Sequence, residues 1–493
     1  MATGSTLTST SSSSPVEGDR LTFHWTTDAP DPKNWVGIYD GDRLPGTGSS
    51  LLWKYTPAAD GDVQLDTSAL TGGPYTAYLL AKDGYGILAR TQPFTFRPKP
   101  AVVRPHAVVD SFTATPVAPG AAVTIELGGL WARPAGNPAG SATFRKVSGP
   151  AWLAVAAGGT VTGTAPGGTA PGGTAPGGTA PRTPEVLVVG VKDSAGATDT
   201  VTVLLPVVDP ATAPRLKVAS WNLANAGAAF TDATEKQLRV VLAQGLDVLA
   251  LQETGGKAAQ ALADALGWYA HQSAGSVGLL SRYPLTAVTP ATAELPAAAA
   301  TVQLPGGRAV RVWTAHLDES DYGPYALQDG RTAAQVLAAE NASVRLRQAR
   351  ALAAAVTADA AAGAPVVLAG GLSSPSHLDW TAATAAAHGG AGALAWPVTT
   401  ALQGAGLTDT FREENRDPVK APGTTWSPVR KQRAAGKAEP QDRIDYVLYR
   451  GKLRLVEAHT LVADWPATAA DPAALAANQW PSDTAAAVAT FQL

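Results

Sequence analysis

From residue 216 to the C-terminus, short apolar runs alternate with alanine-rich segments of helical length. This alternation predicts strands interleaved with helices, which is typical of an α/β domain whose sheets are covered by helices. The predicted strands are 217–223, 247–251, 277–281, 310–316, 366–368, 444–449 and 487–491. The predicted helices are 232–243, 256–266, 330–361 and 381–388. Hydrophobic residues make up 45% of the chain, which is enough to build sizeable cores.

The first 208 residues have a different pattern, with alternating strands and turn signals at intervals of roughly 10 residues. This pattern predicts two all-β, immunoglobulin-like sandwich domains. We therefore divide the chain into a flexible N-terminus (1–15), a β-sandwich (16–98), an immunoglobulin-like β domain (105–208) and the α/β domain (215–493). We interpret Trp35 and Trp53 as core aromatics of the first sandwich. The alternative is that they are surface aromatics that bind a glycan or a lipid.

Two linkers and a repeat separate or interrupt these predicted domains. The linkers are 97–100 and 206–214, and both are rich in proline. A Thr-Ala-Pro-Gly-Gly repeat runs through 164–179, where so much Pro and Gly cannot build a core. The run Asn34-Trp35-Val36-Gly37-Ile38-Tyr39 resembles SKICH-type sandwich modules. The second β domain is similar to the immunoglobulin-like repeats of secreted and surface bacterial proteins.

Composition excludes several classes of site. The formal net charge of −3 gives no global electrostatic attraction to nucleic acid or anionic membranes. The absence of cysteine excludes disulfides and thiolate metal sites, so Asp, Glu, Asn and His are the candidate metal ligands. No apolar run reaches the ~18 residues of a membrane-spanning helix. The first residues show no basic and apolar signal regions, so we expect either no export or a signal already removed.

Polar side chains recur where the predicted strands of the α/β domain end. They are Asn222, Glu253, His316, Asp409, Asp445 and Asp483. Each one alone could be a helix cap or a surface charge, but their recurrence at strand ends indicates a site. Asn222, Glu253 and Asp483 offer the oxygen ligands that hard divalent cations prefer. Such a set suits Mg²⁺ better than zinc.

Several motifs, in order, resemble the endonuclease/exonuclease/phosphatase superfamily, the fold of DNase I-like nucleases, neutral sphingomyelinases and inositol polyphosphate phosphatases. The motifs are Ser220-Trp221-Asn222-Leu223, Leu251-Gln252-Glu253, Val277-Gly278-Leu279-Leu280-Ser281-Arg282-Tyr283-Pro284, Thr314-Ala315-His316-Leu317, Asp442-Arg443-Ile444-Asp445-Tyr446 and Trp480-Pro481-Ser482-Asp483. The resemblance covers the whole C-terminal domain. It implies a four-layer αββα sandwich with the site at one edge of two packed sheets.

The resemblance also implies roles for these residues. Asn222 and Glu253 would hold a divalent metal (Mg²⁺, or Mn²⁺ or Ca²⁺), with Asp483 nearby. His316 would donate a hydrogen bond to a phosphate oxygen, and Asp445 would orient a C-terminal histidine. Asp409 is also a candidate catalytic residue. The implied reaction is in-line attack of an activated water on a phosphoester, with the metal neutralising the developing charge.

Three positions depart from the family pattern. Where the family has Gly-Asp-x-Asn, this chain has Gly370-Gly371-Leu372-Ser373, so Gly371 and Ser373 replace an Asp and an Asn. Where the family has Ser-Asp-His, Thr484 replaces the histidine. The missing groups are the ones that act on the scissile phosphate, and each such group is worth about 10²–10⁴ in rate. We therefore expect strongly impaired catalysis, whether the changes are natural or introduced. We interpret His377, just beyond this turn, as a structural neighbour and not as a replacement.

The substrate is not defined by these motifs, and the candidates are nucleic acid, a phospholipid or a small phosphate ester. Arg430, Lys431 and Arg433, with Lys437, are candidate substrate-binding residues in the loop before the Asp442 motif. The alternative is a solvated loop without contact to the site. We expect a monomer, and the tandem β domains favour a secreted protein.

Three functions remain open. The first is a metal-dependent phosphoester hydrolase with impaired catalysis. The second is a pseudoenzyme that keeps the fold and binds a ligand without turning it over. The third is a surface adhesion or scaffold protein whose β domains are the functional part.

Overall fold

The computed structural model describes residues 4–10, 15, 19–41, 43–67, 69–70, 72–96, 104–133, 140–167, 183–208, 215–433, 436–463 and 472–493. Most of the Thr-Ala-Pro-Gly-Gly repeat and most of both predicted linkers lie outside the described residues. The chain divides into two compact units, Met1–Val103 and Arg104–Leu493. Within the described residues, we find no helix with the length and apolar character needed to cross a bilayer.

The first unit consists of two sheets that enclose one core. Its strands are β1 (Thr6–Ser9), β2 (Leu21–Thr26), β3 (Trp35–Asp40), β4 (Leu52–Tyr55), β5 (Asp60–Leu65), β6 (Tyr75–Ala81) and β7 (Gly86–Arg90). The sheet orders are β1-β2-β5 and β4-β3-β6-β7. Phe23, Val36 and Leu79 belong to the core that both sheets share. This β-rich architecture agrees with the predicted sandwich.

Two predictions for this unit need correction. The segment predicted to be flexible contains β1, which pairs antiparallel with β2 over four residues. Trp35 is buried, but in a cluster on the face of its sheet opposite the core that both sheets share, and Trp53 is 51% exposed. The reason is the strand register, which pairs Trp53 with Gly37 on this outer face, whereas Leu52 pairs with Ile38 on the core face.

The second unit begins with another β-rich region. Its strands are β8 (His106–Ala107), β9 (Ser111–Thr113), β10 (Ala122–Glu126), β11 (Trp131–Ala132), β12 (Ala142–Ser148), β13 (Leu153–Val155), β14 (Thr160–Thr164), β15 (Glu185–Asp193) and β16 (Thr198–Leu205), with a 3₁₀ turn at Gly128–Leu130. They form sheets ordered β10-β14-β13, β11-β8 and β12-β15-β16-β9. We refer to this region as the second β module.

The rest of the unit alternates strands and helices. The strands are β17 (Arg215–Asn222), β18 (Val248–Gln252), β19 (Tyr269–Gln272), β20 (Val277–Ser281), β21 (Leu285–Thr289), β22 (Ala297–Leu304), β23 (Arg308–His316), β24 (Val366–Gly371), β25 (Thr408–Asp409), β26 (Asp445–Arg450), β27 (Arg454–Leu461) and β28 (Ala486–Gln492). The helices are α1 (Ala224–Gly227), α2 (Ala233–Ala243), α3 (Ala258–Leu266), α4 (Gly323–Gln328), α5 (Ala333–Ala342), α6 (Val344–Ala361), α7 (Pro397–Gly404), α8 (Thr410–Glu414) and α9 (Pro472–Ala477). Further 3₁₀ turns lie at Pro305–Gly307 and Ala382–His388.

These elements stack in four layers. The strands form two six-stranded sheets, ordered β19-β20-β18-β17-β28-β27 and β21-β22-β23-β24-β26-β25. Val218 of the first sheet and Val367 of the second belong to one buried cluster between them. Leu262 of α3 packs on the outer face of the first sheet, and Leu352 of α6 on that of the second. The predicted αββα fold is confirmed.

The second β module packs directly against the outer helix layer. Its apolar residues and those of α2 and α3 form one continuous cluster. Polar contacts cross the same boundary, since Arg239 Nε donates to the carbonyl of Val108 at 3.1 Å and Arg282 Nη1 donates to that of Thr113 at 3.0 Å. The module is therefore part of the structural unit that carries the αββα domain.

The single helix predicted for 330–361 is two helices. Ser343 has extended backbone angles (φ −66°, ψ 156°) and separates α5 from α6. Its hydroxyl accepts a hydrogen bond from the backbone N–H of Leu346 at 3.1 Å, which caps α6. Serine competes well for this capping position, so an alanine-rich helical pattern can be interrupted without a glycine or proline.

Candidate active site

The turn after β24 lies between two polar strand ends. Parallel pairing with β23 places His316 opposite Gly371, and antiparallel pairing with β26 places Asp445 opposite it on the other side. A β-carbon built on Gly371 would lie 3.3 Å from Asp445 Oδ1 and 3.4 Å from His316 Cδ2. A side chain at this position would therefore project between the histidine and the carboxylate.

Ser373 follows in the same turn with a left-handed backbone (φ 49°). Its hydroxyl donates to the carbonyl of Leu317 at 3.0 Å, and its own carbonyl accepts from Arg345 Nη1 at 2.9 Å. Left-handed conformations favour Asn among non-glycine residues, so the backbone suits the residue that the family has here. The serine side chain is shorter and is bonded to the protein backbone.

A cavity of about 540 Å³ opens at this edge of the sheets. Most of the predicted site residues line it. The lining consists of Asn222, Glu253, His316, Glu319, Ser320, Tyr322, Tyr325, Gly371, Ser373, Trp426, Arg430, Ile444, Asp445, Asp483 and Thr484. The structure thus brings together the candidate metal ligands, the candidate phosphate-binding histidine and the three altered positions.

The candidate metal ligands are held by a hydrogen-bond network. Asn222 Nδ2 donates to Glu253 Oε1 at 2.8 Å, and the backbone N–H of Asn225 donates to Glu253 Oε2 at 3.0 Å. Ser482 Oγ donates to the carbonyl of Asn222 at 2.6 Å, which ties the last motif to β17. Both carboxylate oxygens of Glu253 are therefore fixed at the mouth of the cavity.

A divalent cation fits the donors present here. Ligand atoms of Glu253, His316 and Glu319 lie within 4.8 Å of one another. His316 Nε2 is 4.0 Å from Glu253 Oε1, so the two side chains approach without a hydrogen bond. Carboxylate and amide oxygens around such a gap are what a hard cation needs. Asn222, whose Oδ1 accepts from the backbone N–H of Ala224 at 2.8 Å, and Asp483 line the same cavity.

Asp483 already has a cationic partner. Arg430 Nε and Nη2 donate to Asp483 Oδ2 at 3.0 and 2.9 Å. The guanidinium also lies over the ring of Trp426, with its carbon 5.6 Å from the ring centroid. Thr484 Oγ1 donates to Asp483 Oδ1 at 3.3 Å. Arg430 is therefore the predicted substrate-binding residue that faces the cavity.

The carboxylate of Asp445 is buried, and one of its oxygens lacks a hydrogen bond within the described part of the chain. Its side chain is 2% exposed, and Oδ2 has no hydrogen-bond partner among the described residues. Burial, reinforced by Asp483 and Glu253 and opposed by Thr425, raises the pKa of Asp445 from 3.8 to about 7. Asp445, whose expected histidine partner is replaced by Thr484, is consequently protonated in a large fraction of molecules near neutral pH.

Asp409, predicted as catalytic, lies outside the lining of this cavity. Its carboxylate accepts from Arg443 Nη2 at 2.8 Å and from Arg443 Nη1 at 3.0 Å. It also caps α8 by accepting from the backbone N–H of Phe411. Arg443 is 2% exposed and bonds Asp379 as well. The prediction for Asp409 is corrected: its oxygens are engaged in an ion-pair network with the buried Arg443, and it does not line the cavity.

The other basic residues of this loop, Lys431, Arg433 and Lys437, are absent from the cavity lining. Lys431 Nζ donates to the carbonyl of Ser427 at 2.7 Å. Arg433 Nη2 is 3.1 Å from Asp329 Oδ2, and Lys437 Nζ is 2.6 Å from Asp329 Oδ1. Lys431 and Arg433 are therefore removed from the candidate substrate-binding residues, because neither lines the cavity. Lys431 is bonded to Ser427 and Gln441, and Arg433 pairs with Asp329 after α4.

The interpretation of His377 as a structural neighbour is confirmed. Its Nδ1 is 2.9 Å from Thr399 Oγ1 and its Nε2 is 2.7 Å from Gln403 Oε1. Both partners belong to α7, and His377 does not line the cavity. The two ring nitrogens are occupied, so the imidazole cannot replace a missing catalytic group.

Sequence reasoning missed some residues of the site. Glu319, Tyr322, Tyr325 and Trp426 line the cavity. Glu319 and Tyr322 lie in the acidic segment that directly follows His316, and an acidic run after a strand end was an available signal. Tyr322 donates to Asp442 Oδ2 at 2.8 Å, and burial raises its pKa well above 10. That hydroxyl therefore stays protonated and acts as a donor.

The C-terminal part of the chain is similar to known proteins. The model of the Endonuclease/Exonuclease/phosphatase family matches residues 219–483. An uncharacterized protein of Caenorhabditis elegans is 31% identical over 254 residues, which cover 48% of this chain and 79% of that protein. Among solved structures, an endonuclease/exonuclease/phosphatase from Beutenbergia cavernae is 18% identical with a TM-score of 0.37, over 57% of this chain and 72% of that one. The APE2 catalytic domain of Xenopus laevis is 16% identical with a TM-score of 0.36, over 56% and 91%.

Proposed function

Since the chain belongs to the endonuclease/exonuclease/phosphatase family, we propose that it is a divalent-metal-dependent phosphoester hydrolase with strongly reduced turnover. The observation that carries this proposal is the gap at Gly371. The position lies between His316 and Asp445, and among the described residues beyond its chain neighbours only these two approach a β-carbon built there within 4 Å. The residues that hold metal and phosphate remain around a site that lacks its group for activating water.

The remaining residues support binding of a phosphoester. Glu253 and Asn222, fixed by their mutual hydrogen bond, would hold Mg²⁺, or alternatively Mn²⁺ or Ca²⁺. The cation would supply positive charge against the charge that develops on phosphate. His316 and Arg430 are the donors that line the cavity and can reach non-bridging phosphate oxygens. These residues orient the substrate without deprotonating a water.

The missing groups explain why turnover should be low. A general base is absent at Gly371, and Ser373 donates its hydroxyl to a backbone carbonyl. Thr484 has a hydroxyl that donates to Asp483, so it cannot supply the charge of an imidazolium. Losses within one catalytic unit are not additive, but their joint effect still removes most of the rate.

A reversion experiment tests the proposal. The full chain is compared with Gly371→Asp/Ser373→Asn/Thr484→His on bis-p-nitrophenyl phosphate, plasmid DNA and sphingomyelin, with Mg²⁺ or Mn²⁺. We expect the triple variant to be at least ~10³-fold faster on one of these substrates. Equal rates in the two proteins would refute the assignment of catalysis to these positions.

Turnover in this assay, together with a measurement of phosphate binding, separates the alternatives. Metal-dependent turnover by the unaltered chain, above that of its Glu253→Ala variant, supports an impaired hydrolase. Binding of phosphate without turnover supports the pseudoenzyme. The preferred substrate among nucleic acid, phospholipid and small phosphate ester is an outcome of this comparison. The secreted location and the monomeric state stay predictions.

A further inference from the structure

The sheet β4-β3-β6-β7 of the first unit is apolar on both faces. One face contributes Val36 and Leu79 to the core. The opposite face contributes Trp35, Tyr39 and Tyr78 to a separate buried cluster. A sheet with one face on the core normally presents polar residues on the other. Packing within the core of this unit therefore does not explain why the outer face of the sheet is aromatic.

A pocket of about 390 Å³ opens on this aromatic face. Its lining combines aromatic rings with small polar groups. The lining residues are Trp35, Tyr39, Ser49, Ser50, Trp53, Tyr55, Asp83 and Tyr85. Three of the rings are exposed, with Trp53 at 51%, Tyr55 at 48% and Tyr85 at 55%. Exposed aromatic rings gathered around one concavity are typical of a binding site.

The rings are held in defined orientations. Trp35 contacts Trp53 edge-to-face with centroids 6.0 Å apart, and it contacts Tyr85 in the same manner at 6.3 Å. Trp35 Nε1 donates to the carbonyl of Gly84 at 3.2 Å. A β-carbon on Gly37 would lie 2.6 Å from the Trp35 ring, so this ring can lie across β3 only because residue 37 is glycine. The pocket is thus organised before any ligand binds.

The charges in the pocket cancel. Asp83 accepts from Tyr55 Oη at 2.7 Å and from Lys33 Nζ at 2.8 Å. These partners lower the pKa of Asp83, so it remains an anion paired with a cation. The Asp83 carboxylate is thus already paired and offers no free charge for an ion pair with a charged ligand. The pocket suits a neutral ligand.

The polar groups that remain are hydroxyls at the ring edges. Ser49 and Ser50 lie in the lining, and the buried hydroxyl of Tyr39 has no hydrogen-bond partner among the described residues. A ligand that fits must combine an apolar face for stacking on aromatic rings with hydrogen-bonding groups around its edge. Pyranose sugars have this combination.

We propose that this pocket binds a neutral carbohydrate, with sugar rings stacked on Trp53 and Tyr85 and hydroxyls hydrogen-bonded at the rim. The site lies in the first unit, so it would add a binding function to the chain that does not depend on catalysis at Gly371. Carbohydrate binding of this kind would hold the protein on a polysaccharide surface.

Affinity electrophoresis of the full chain tests the proposal. Native gels contain laminarin, xylan, galactomannan or amylose, and the variants are Trp53→Ala/Tyr85→Ala and the conservative Trp53→Phe. We expect retardation by at least one polysaccharide, weakened about 30-fold by the double variant, as for truncated aromatic anchors. Trp53→Phe should retain most of the binding. Tyr269→Ala, which removes a 48% exposed ring elsewhere, is the matched control and should not change it.

Other outcomes would overturn the proposal. These are the absence of retardation in every gel, or equal retardation of the parent and the double variant with both folded by thermal melting. Sedimentation of the chain with phosphatidylcholine vesicles, lost in the double variant, would assign the face to lipid. A dimer in sedimentation velocity that the double variant disrupts would assign it to a second copy of the chain.

Discussion

The two sides of the catalytic cavity differ in how completely their polar groups are satisfied. On the metal side, both oxygens of Glu253 accept hydrogen bonds, and the Asn222 carbonyl is bonded to Ser482. On the phosphate side, Gly371 leaves a gap and Asp445 Oδ2 has no partner among the described residues. Under the proposed function, the residues that would hold a cation are fixed by hydrogen bonds, whereas the positions that would act on phosphate carry Gly371, Ser373 and Thr484. Binding and turnover should therefore respond differently to substitution.

The largest expected effect is cooperative recovery on the phosphate side. Gly371→Asp, Ser373→Asn or Thr484→His alone should raise the rate by less than ~10-fold, whereas the triple variant should gain at least ~10³-fold. The reason is that residues of one catalytic unit depend on one another. Initial rates on bis-p-nitrophenyl phosphate check this. Full recovery by a single reversion would show that the other two positions contribute little.

The second effect is on stability and follows from Asp445. Its pKa rises from 3.8 to about 7 on folding, so the native state holds the proton more tightly than the unfolded state. Between about pH 4 and 7 the unfolded state therefore ionises first, and stability falls as pH rises. Asp445→Asn removes this penalty and should stabilise the protein at pH 8 by up to about 4 kcal/mol.

Urea unfolding at pH 5 and pH 8, with EDTA present, measures this difference. Asp264→Asn, which alters an exposed carboxylate on α3, is the control and should show no such pH dependence. A stabilisation by Asp445→Asn of the same size at both pH values would mean that the burial of this carboxylate is compensated after all.

Which parts of this site can be predicted from sequence depends on the backbone. Asn222, Glu253 and Gly371 lie at or directly after the ends of buried strands, and strand register fixes such positions once the alternation is recognised. Asp409 also lies at a strand end, but its role depends on Arg443, whose buried guanidinium donates to both carboxylate oxygens. A contact between residues 34 positions apart has no local signature. Glu319 was missed although it belongs to the acidic run after His316, because that run follows neither strand nor helix periodicity.

The metal side gives the third prediction. Glu253→Ala should weaken Mg²⁺ binding by at least ~10-fold, because it removes a carboxylate ligand and leaves Asn222 without its partner. Glu319→Ala should have a smaller effect, since Glu319 is exposed and is not part of this network. Isothermal titration calorimetry with Mg²⁺ compares them. A larger loss of Mg²⁺ affinity in Glu319→Ala would indicate that the cation binds at the cluster of Glu253, His316 and Glu319.

The smallest effect concerns Arg430, which pairs with the candidate metal ligand Asp483 and is also a candidate donor to phosphate. It pairs with Asp483 while 54% of its side chain is exposed, so the pair contributes little to stability and is screened by salt. Arg430→Gln should free the Asp483 carboxylate and tighten Mg²⁺ binding by up to about fivefold. It should also weaken binding of inorganic phosphate, for which Arg430 is a donor. Arg20→Gln is the matched control, because Arg20 forms an exposed pair with Asp66 in the first unit and does not line the cavity. Calorimetry at low and high salt measures both ligands. Weaker Mg²⁺ binding in Arg430→Gln would contradict a competition between the guanidinium and the cation for Asp483.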